Sequence, residues 1–191
     1  ESVIFQHSGY QEQRIMEKNK PQKLELLRKS LLMPEYDIPF IHYQYAYRLL
    51  YELDPPDYAT ALYEFDLCFE RSQIPLPTPT WRSAPFMLVA LNVFRLLAVQ
   101  NKHTEIIKRY PVYQEHCKQP EFIYIYGRAL FGIEDYEKAS LVLQQCLNPM
   151  GSLLPTDKEF CTWRPLILLL QIAWHKKDPK TLNHYAQQLL L

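Results

Sequence analysis

Apolar residues recur every three or four positions along most of this 191-residue chain, which is the period of an amphipathic α-helix. The pattern is strongest in PEFIYIYGRALFGIEDYEKASLVLQQCLNP, residues 120–149. Two apolar runs there flank a turn at Glu134 and Asp135, and the small residue Gly127 in the first run precedes the small residue Ala139 in the second by twelve positions. No segment alternates apolar and polar residues for long enough to predict a strand. The pattern therefore predicts an all-α protein with a complete helical hairpin at residues 120–149.

Prolines divide the other periodic segments, and the chain has 15 prolines against only 4 glycines. Most of them stand between apolar runs or at helix starts, where a fixed φ favours the helix. We predict that Asp57 caps the helix after it and that Pro111 breaks or kinks its own helix. The predicted helices are Gln11–Asn19, Pro21–Met33, Ile38–Leu53, Tyr58–Arg71, Ala84–Gln100, Thr104–Cys117, the two runs of 120–147, a run through Trp163 and Trp174, and one opened by Asp178 and Pro179.

The small residues and turn of residues 120–149 resemble a tetratricopeptide repeat, a helical hairpin in which one small residue per helix lets the helices cross closely. Three further hairpins are similar but degenerate. The equivalent positions are Ala46 with Ala61 in the first hairpin, Ala90 or Phe94 with Ile106 in the second, and Leu170 with Leu182 in the last. The second-helix positions are 45, 33 and 43 residues apart, counted from Ala61 to Leu182. Only the middle interval is near the family's period of about 34 residues.

The resemblance implies a right-handed α-α superhelix, a solenoid of about four hairpins plus one or two N-terminal helices, because a single hairpin cannot bury both of its apolar faces. A different α-solenoid or a helical bundle remains the alternative. We expect one domain over residues 1–191. Because the chain does not begin with Met, we also expect it to be a fragment of a larger protein. Its expected parts are an N-terminal helical segment, 1–35, hairpins 38–71, 84–117, 120–147 and 159–191, and proline-rich or irregular insertions 72–83 and 148–158.

Charge and cysteine usage narrow the classes of partner. Lys+Arg and Asp+Glu number 21 each, so the chain has no net field that would attract nucleic acid or an anionic membrane. No apolar run approaches the roughly 20 residues that span a bilayer. The four cysteines lie far apart in the sequence, which favours free thiols in a reducing compartment. We expect an intracellular protein, cytoplasmic or nuclear, with no membrane insertion.

Residues that would carry chemistry form no motif. The six histidines show no pairing at positions i and i+4 and no Cys-x-x-Cys partner, so no metal site is expected. Four scattered glycines cannot build a phosphate-binding loop. His116 and Cys117 are adjacent, but neighbouring helical residues point apart and do not form a catalytic couple. We therefore predict that the chain is not an enzyme and binds no cofactor.

In the tetratricopeptide family the first helix of each hairpin lines a concave groove, and residues four apart point the same way. The resemblance therefore implies a partner-binding line of Tyr43, Tyr47, Tyr124 and Arg128, extended by Arg95 and Gln171. A known mode of the family grips a C-terminal carboxylate of heat-shock chaperones with Lys and Asn, and this chain has tyrosines at those positions. An aromatic groove suits an extended or helical segment of a protein partner instead. Packing of the same tyrosines against the next hairpin remains open, and Trp81, Trp163 and Trp174 are expected in the core.

Three functions are compatible with these features. The leading hypothesis is a protein-protein interaction module, a scaffold piece that binds a peptide or helix of a partner. The alternative is a structural subunit whose outer ridge and insertions are buried permanently in a multiprotein complex. A helical-repeat RNA binder is the third, and it would need a basic inner face.

Overall fold

The computed structural model of this chain describes residues 21–73, 86–115, 117–147 and 157–190. The predicted helix Gln11–Asn19 and nearly all of the two predicted insertions lie outside these ranges. The described residues form α-helices and short 3-10 helices and contain no strand, which confirms the all-α prediction.

Nine α-helices occur in the described ranges. Two short 3-10 helices, Pro34–Tyr36 and Lys158–Cys161, precede α2 and α8 respectively. The α-helices are α1 (21–30), α2 (Pro39–Tyr51), α3 (Tyr58–Ser72), α4 (Phe86–Val99), α5 (His103–Tyr113), α6 (Pro120–Gly132), α7 (Tyr136–Leu147), α8 (Trp163–His175) and α9 (Pro179–Leu189).

The chain divides into two compact units, an N-terminal unit within residues 1–84 and a C-terminal unit within residues 85–191. In the N-terminal unit, α2 and α3 form a hairpin. Ala46 and Ala61 are both fully buried, as expected for the two small residues of a close helix crossing. Asp57 caps α3 as predicted, because its carboxylate accepts a hydrogen bond from the Thr60 amide at 3.0 Å.

In the C-terminal unit, Gly127 lies against the side chain of Leu143 on α7. A Cβ atom at position 127 would be 2.8 Å from both Cγ and Cδ2 of Leu143, and Leu143 is fully buried. Only glycine fits this approach of α6 to α7 without displacing a core side chain. The surrounding core joins α6 to α9 through Leu130, Ala139, Leu143, Leu166, Leu169, Ile172 and Tyr185.

The same turn closes all three hairpins of the C-terminal unit. Asn101, Glu134 and Lys177 take positive φ angles of 54°, 64° and 52°, each two positions beyond the last residue of α4, α6 or α8. This left-handed position at a helix end satisfies carbonyl groups that have no partner within the helix. The residue after each one donates its amide to the carbonyl five residues back: Lys102 to Leu97, Asp135 to Leu130 and Asp178 to Ala173, each at 3.0 Å.

These turns fix the register that the sequence left open in the second hairpin. Gly127 stands seven residues before Glu134, and the residue seven before Asn101 is Phe94, not Ala90. In the last hairpin the same count from Lys177 reaches Leu170. The C-terminal unit thus repeats one backbone turn, while the residue seven positions before the turn residue changes from phenylalanine to glycine to leucine.

Pro111 was predicted to break or kink its helix, and it does not break it, since α5 continues to Tyr113. Pro111 lies in the last turn of α5, so few residues depend on the hydrogen-bond ladder that it interrupts. The prediction that the tryptophans of α8 are core residues is wrong. Trp163 and Trp174 are not core residues: they are 44% and 70% exposed, because Leu166, Leu169, Ile172 and Ala173 already fill the buried face of α8. Trp81 lies outside the described residues.

None of the described helices combines the length and the apolar character that a membrane-spanning helix requires.

Candidate functional site

Three of the predicted partner-binding residues occupy one equivalent position in the C-terminal unit. Arg95, Arg128 and Gln171 each stand six residues before the positive-φ residue of their own hairpin. Counted from the same turn, these residues therefore occupy equivalent positions on α4, α6 and α8.

Arg95 is engaged in a bidentate ion pair with Glu121 of α6. Its Nε and Nη2 atoms donate to the two carboxylate oxygens of Glu121 at 2.7 and 2.5 Å. The arginine side chain is 42% exposed, whereas the glutamate is only 17% exposed. This pair joins the first helix of one hairpin to the first helix of the next. A partner that used Arg95 would have to share it with Glu121.

Arg128 differs from Arg95 because it is exposed and no described residue forms an ion pair or hydrogen bond with it. Tyr124 lies one helical turn before it on the same face of α6. The Tyr124 ring packs against Phe160, with ring centroids 5.3 Å apart, and is only partly exposed. Tyr124 therefore contributes both to local packing and to the surface beside Arg128.

A second arginine completes this surface. Arg164 places its guanidinium 4.7 Å from the Phe160 ring centroid and 5.3 Å from that of Trp163, within range of cation-π attraction. It also forms a 2.8 Å ion pair with Glu159; the Arg164 side chain is 38% exposed and the Glu159 side chain is 40% exposed. We call the surface formed by Tyr124, Arg128, Phe160, Trp163 and Arg164 the arginine-aromatic patch.

The electrostatics of Tyr124 agree with this arrangement. Burial raises the pKa of the Tyr124 hydroxyl, and the nearby positive charges of Arg128 and Arg164 oppose that rise. The hydroxyl therefore stays protonated at neutral pH and is available as a hydrogen-bond donor beside two cations.

The N-terminal unit carries the other two predicted residues on α2. Tyr43 is half-buried, with its ring centroid 6.0 Å from that of Phe65 on α3 and 6.2 Å from that of Tyr47. Tyr47 is 40% exposed and packs on Tyr51, which is 46% exposed, at 4.6 Å. The three tyrosines form a ladder at successive turns of α2, with its first ring in the packing and its last two at the surface.

A buried charged network in the N-terminal unit was missed by the sequence reasoning. His42 is 4% exposed, and its Nδ1 lies 2.5 Å from a carboxylate oxygen of Glu64, itself 8% exposed. Its Nε2 lies 2.7 Å from Asp37. The Arg71 guanidinium donates to both oxygens of Asp37 at 2.8 Å and lowers the pKa of that carboxyl, with a smaller contribution from His42.

The sequence held a signal for this contact. His42 precedes Ala46 by one helical turn, and Glu64 follows Ala61 by about one turn. In an antiparallel hairpin crossing at the two alanines, those positions face each other. Both ring nitrogens of His42 are occupied by carboxylates and the ring is buried, so the network joins α2 to α3 and leaves no free imidazole for chemistry.

A hollow of about 490 Å³ lies between α7 and α9, the second helices of the last two hairpins. It is lined by α7, the end of α8 and α9, and the Gln144 side-chain amide donates to the Tyr185 hydroxyl at 2.8 Å beside it. Its rim is polar, with Lys176, Lys180 and His184 among the lining residues. This second-helix side is the competing location for a ligand.

Three of the four cysteine thiols are buried. Burial raises the pKa of Cys68 and Cys146 to about 12 and that of Cys117 to about 11, so these thiols are protonated at neutral pH. Within the described ranges no group of three His, Cys, Asp or Glu side chains is placed to hold a metal ion.

No protein-family model matches the chain, and no curated protein shows significant similarity to its sequence.

Proposed function

We propose that this chain is a non-enzymatic protein-protein interaction module that binds a peptide or helix of a partner protein along the first helices of its hairpins. In this proposal the hairpins stack as a right-handed superhelix resembling a tetratricopeptide array, and the first helices line its concave side. The chain then serves as part of a scaffold and carries no catalytic residue.

The repeated turn supports the proposed array. Its positive-φ residues are 33 and 43 residues apart, from Asn101 to Glu134 and from Glu134 to Lys177, as are the second-helix positions predicted from the sequence. An array of this kind presents equivalent residues of successive first helices on one surface. Arg95, Arg128 and Gln171 are such residues.

The single observation that carries the proposal is the state of Arg128. A long charged side chain that is exposed, lacks a partner among the described residues and lies beside a half-buried tyrosine costs little to engage with a ligand. Arginine and tyrosine are also the residue types that most often dominate binding energy in protein interfaces. The arginine-aromatic patch is therefore the part of the C-terminal unit best suited to hold a partner segment.

A selection from a library of short random peptides displayed on phage tests this function. The full chain serves as bait, and enriched peptides are measured by fluorescence anisotropy. We expect Arg128→Ala and Gln171→Ala to weaken binding by about tenfold, or 1.4 kcal/mol. Leu141→Ala is the matched control, because Leu141 is 65% exposed on α7, away from the first helices.

Two results would contradict the proposal. One is a failure of any peptide to be enriched on the folded chain. The other is binding that survives both first-helix substitutions but is lost on mutation of His184, which would place the ligand in the hollow of α7 to α9.

A permanent structural subunit is the second candidate, and the exposure of Trp174 favours it. This ring borders an apolar hollow of about 440 Å³ formed with Ala173, Pro179 and Leu182 at the α8–α9 turn. Large exposed apolar patches mark interaction surfaces. A chain that self-associates in light scattering, and becomes monomeric as Trp174→Gln, favours a subunit; a monomer that binds selected peptides favours the module.

A further inference from the structure

The first helices of the C-terminal unit differ in the charges at equivalent positions. An ion pair joins α4 to α6, whereas α6 and α8 carry arginines at the corresponding positions. Arg95 on α4 pairs with Glu121 on α6, which stands thirteen residues before its turn residue Glu134. The residue thirteen before Lys177 on α8 is Arg164. Arg164 thus stands at the position equivalent to Glu121, and the charges of both Arg128 and Arg164 act on the Tyr124 hydroxyl.

Among the described residues, this exchange of a carboxylate for an arginine leaves one positive charge without a counter-ion. Arg128 and Arg164 contribute one positive charge each, and Glu159 neutralises one of them through its 2.8 Å contact with Arg164. Glu121, the remaining acid on the same face of α6, is held by Arg95. The arginine-aromatic patch therefore carries a local charge of about one positive unit among the described residues, although the whole chain is neutral.

Two aromatic rings, those of Phe160 and Trp163, lie beside this charge. Phe160 is buried, Trp163 is 44% exposed, and the guanidinium of Arg164 lies over both rings. Stacking fixes the arginine and removes much of the rotamer freedom that it would otherwise lose on binding. Trp163 adds an exposed aromatic surface next to the fixed cation. The patch thus combines a polar contact point with an apolar one.

We propose that the arginine-aromatic patch binds the side-chain carboxylate of an Asp or Glu residue within the partner segment, with Arg128 as its ion-pair partner. The Tyr124 hydroxyl donates a hydrogen bond to the same acid, and an apolar side chain next to it in the segment packs on Trp163. This inference rests on the proposed function and names the chemistry of the segment that the patch selects.

Charge matching favours a carboxylate over a phosphorylated residue. One carboxylate neutralises the patch, whereas a phosphate group with nearly two negative charges would leave a surplus of negative charge beside Glu159. Planar pairing also fits, because guanidinium and carboxylate form parallel hydrogen bonds. The segment is therefore expected to carry a single acid at this position, not a phosphoserine.

The test uses the peptides enriched on the full chain by phage selection, sequenced and synthesised. We expect an Asp or Glu next to an apolar residue at a fixed position of the enriched peptides. Replacing that acid with Gln or Asn should weaken binding by about tenfold, and so should Arg128→Gln. Lys108→Gln is the matched control, since it removes the same charge from an exposed site on α5. Its affinity should equal that of the unmodified chain.

A charge exchange makes the assignment specific. Arg128→Glu should abolish binding of the acidic peptide, and a peptide with Lys or Arg in place of its acid should bind Arg128→Glu better than the unmodified chain. Circular dichroism of each variant establishes that it folds, and Arg128→Gln provides the milder substitution if the reversal does not.

The outcomes separate this inference from the proposed function. If no peptide is enriched, the proposed function fails and the inference fails with it. If peptides bind and lose affinity with Gln171→Ala but contain no required acid, the inference alone is overturned. A phosphoserine peptide that binds about tenfold more tightly than its Glu counterpart also overturns it, because the patch would then match a dianion.

Discussion

Gly127→Ala is expected to destabilise the C-terminal unit, although alanine is the better helix former. The added Cβ would lie 2.8 Å from Cγ and Cδ2 of Leu143 and 3.4 Å from Cγ1 of Val142. Leu143 is fully buried in the core between α6 and α9, so its branch point cannot move aside freely. The substitution therefore opposes a gain in helix propensity with a loss in packing.

The two effects have comparable size, and packing should win. Replacing glycine by alanine inside a helix gains about 0.8–1 kcal/mol. Overpacking a close-packed core costs about 1–3 kcal/mol. The net expectation is a loss of about 1 kcal/mol, or a melting temperature lower by about 2–4 °C for a chain of this size.

A double-mutant cycle isolates the contact. Leu143→Ala alone should cost about 2–5 kcal/mol, and it removes both atoms that the new Cβ would strike. In that background Gly127→Ala should stabilise the protein, by about 1 kcal/mol from helix propensity. Urea unfolding of the four proteins, followed by far-UV circular dichroism, gives the free energies. Stabilisation by Gly127→Ala in the original background, or an equal effect in both backgrounds, would refute the close approach of α6 to α7.

Other parts of the chain give further predictions. Glu134→Gly should stabilise the protein by up to about 1 kcal/mol in urea unfolding, since glycine adopts the φ of 64° without strain, while Glu134→Val should destabilise it. His42→Ala should lower the unfolding free energy of the N-terminal unit by about 3–5 kcal/mol, because Glu64 would remain buried without its partner; an effect below 1 kcal/mol would contradict the network. With a thiol reagent at neutral pH, Cys161 should react in the folded protein, whereas the buried thiols should react only after unfolding; their equal labelling in buffer would refute the burial. The buried thiols are Cys68, Cys117 and Cys146.

The helices were predictable because their signal is local. Apolar spacing and prolines placed α2 to α9 within a few residues, the Asp57 cap followed from a residue type that favours that position, and the turn at Glu134 and Asp135 followed from the gap between two apolar runs. The register of α4 was not predictable, because three different residue types, Asn101, Glu134 and Lys177, take the same left-handed turn position and no residue type marks it in the sequence. Tryptophan burial failed for a related reason: periodicity shows that α8 has an apolar face but not which large residues fall beside it.

The candidate site was only partly accessible to sequence. The repeat resemblance placed Arg95, Arg128 and Gln171 in line, and the positive-φ turns give them equivalent positions. The ion pair of Arg95 depends on Glu121 in another helix. Arg164 could not be assigned to the patch from the sequence, because the 43-residue interval between Glu134 and Lys177 contains the predicted insertion 148–158. That insertion shows no helical period in the sequence, so the alignment of α8 with α6 could not be counted across it. Contacts between hairpins thus required the structure, whereas contacts within a hairpin could be inferred.

The structure of the full chain bound to a selected peptide tests the central claim most directly. The account predicts that the peptide lies across α6 and α8, with an Asp or Glu carboxylate within hydrogen-bonding distance of the Arg128 guanidinium and an apolar neighbour on Trp163. A peptide seated instead in the hollow of α7 to α9, with Arg128 left in solvent, would contradict it.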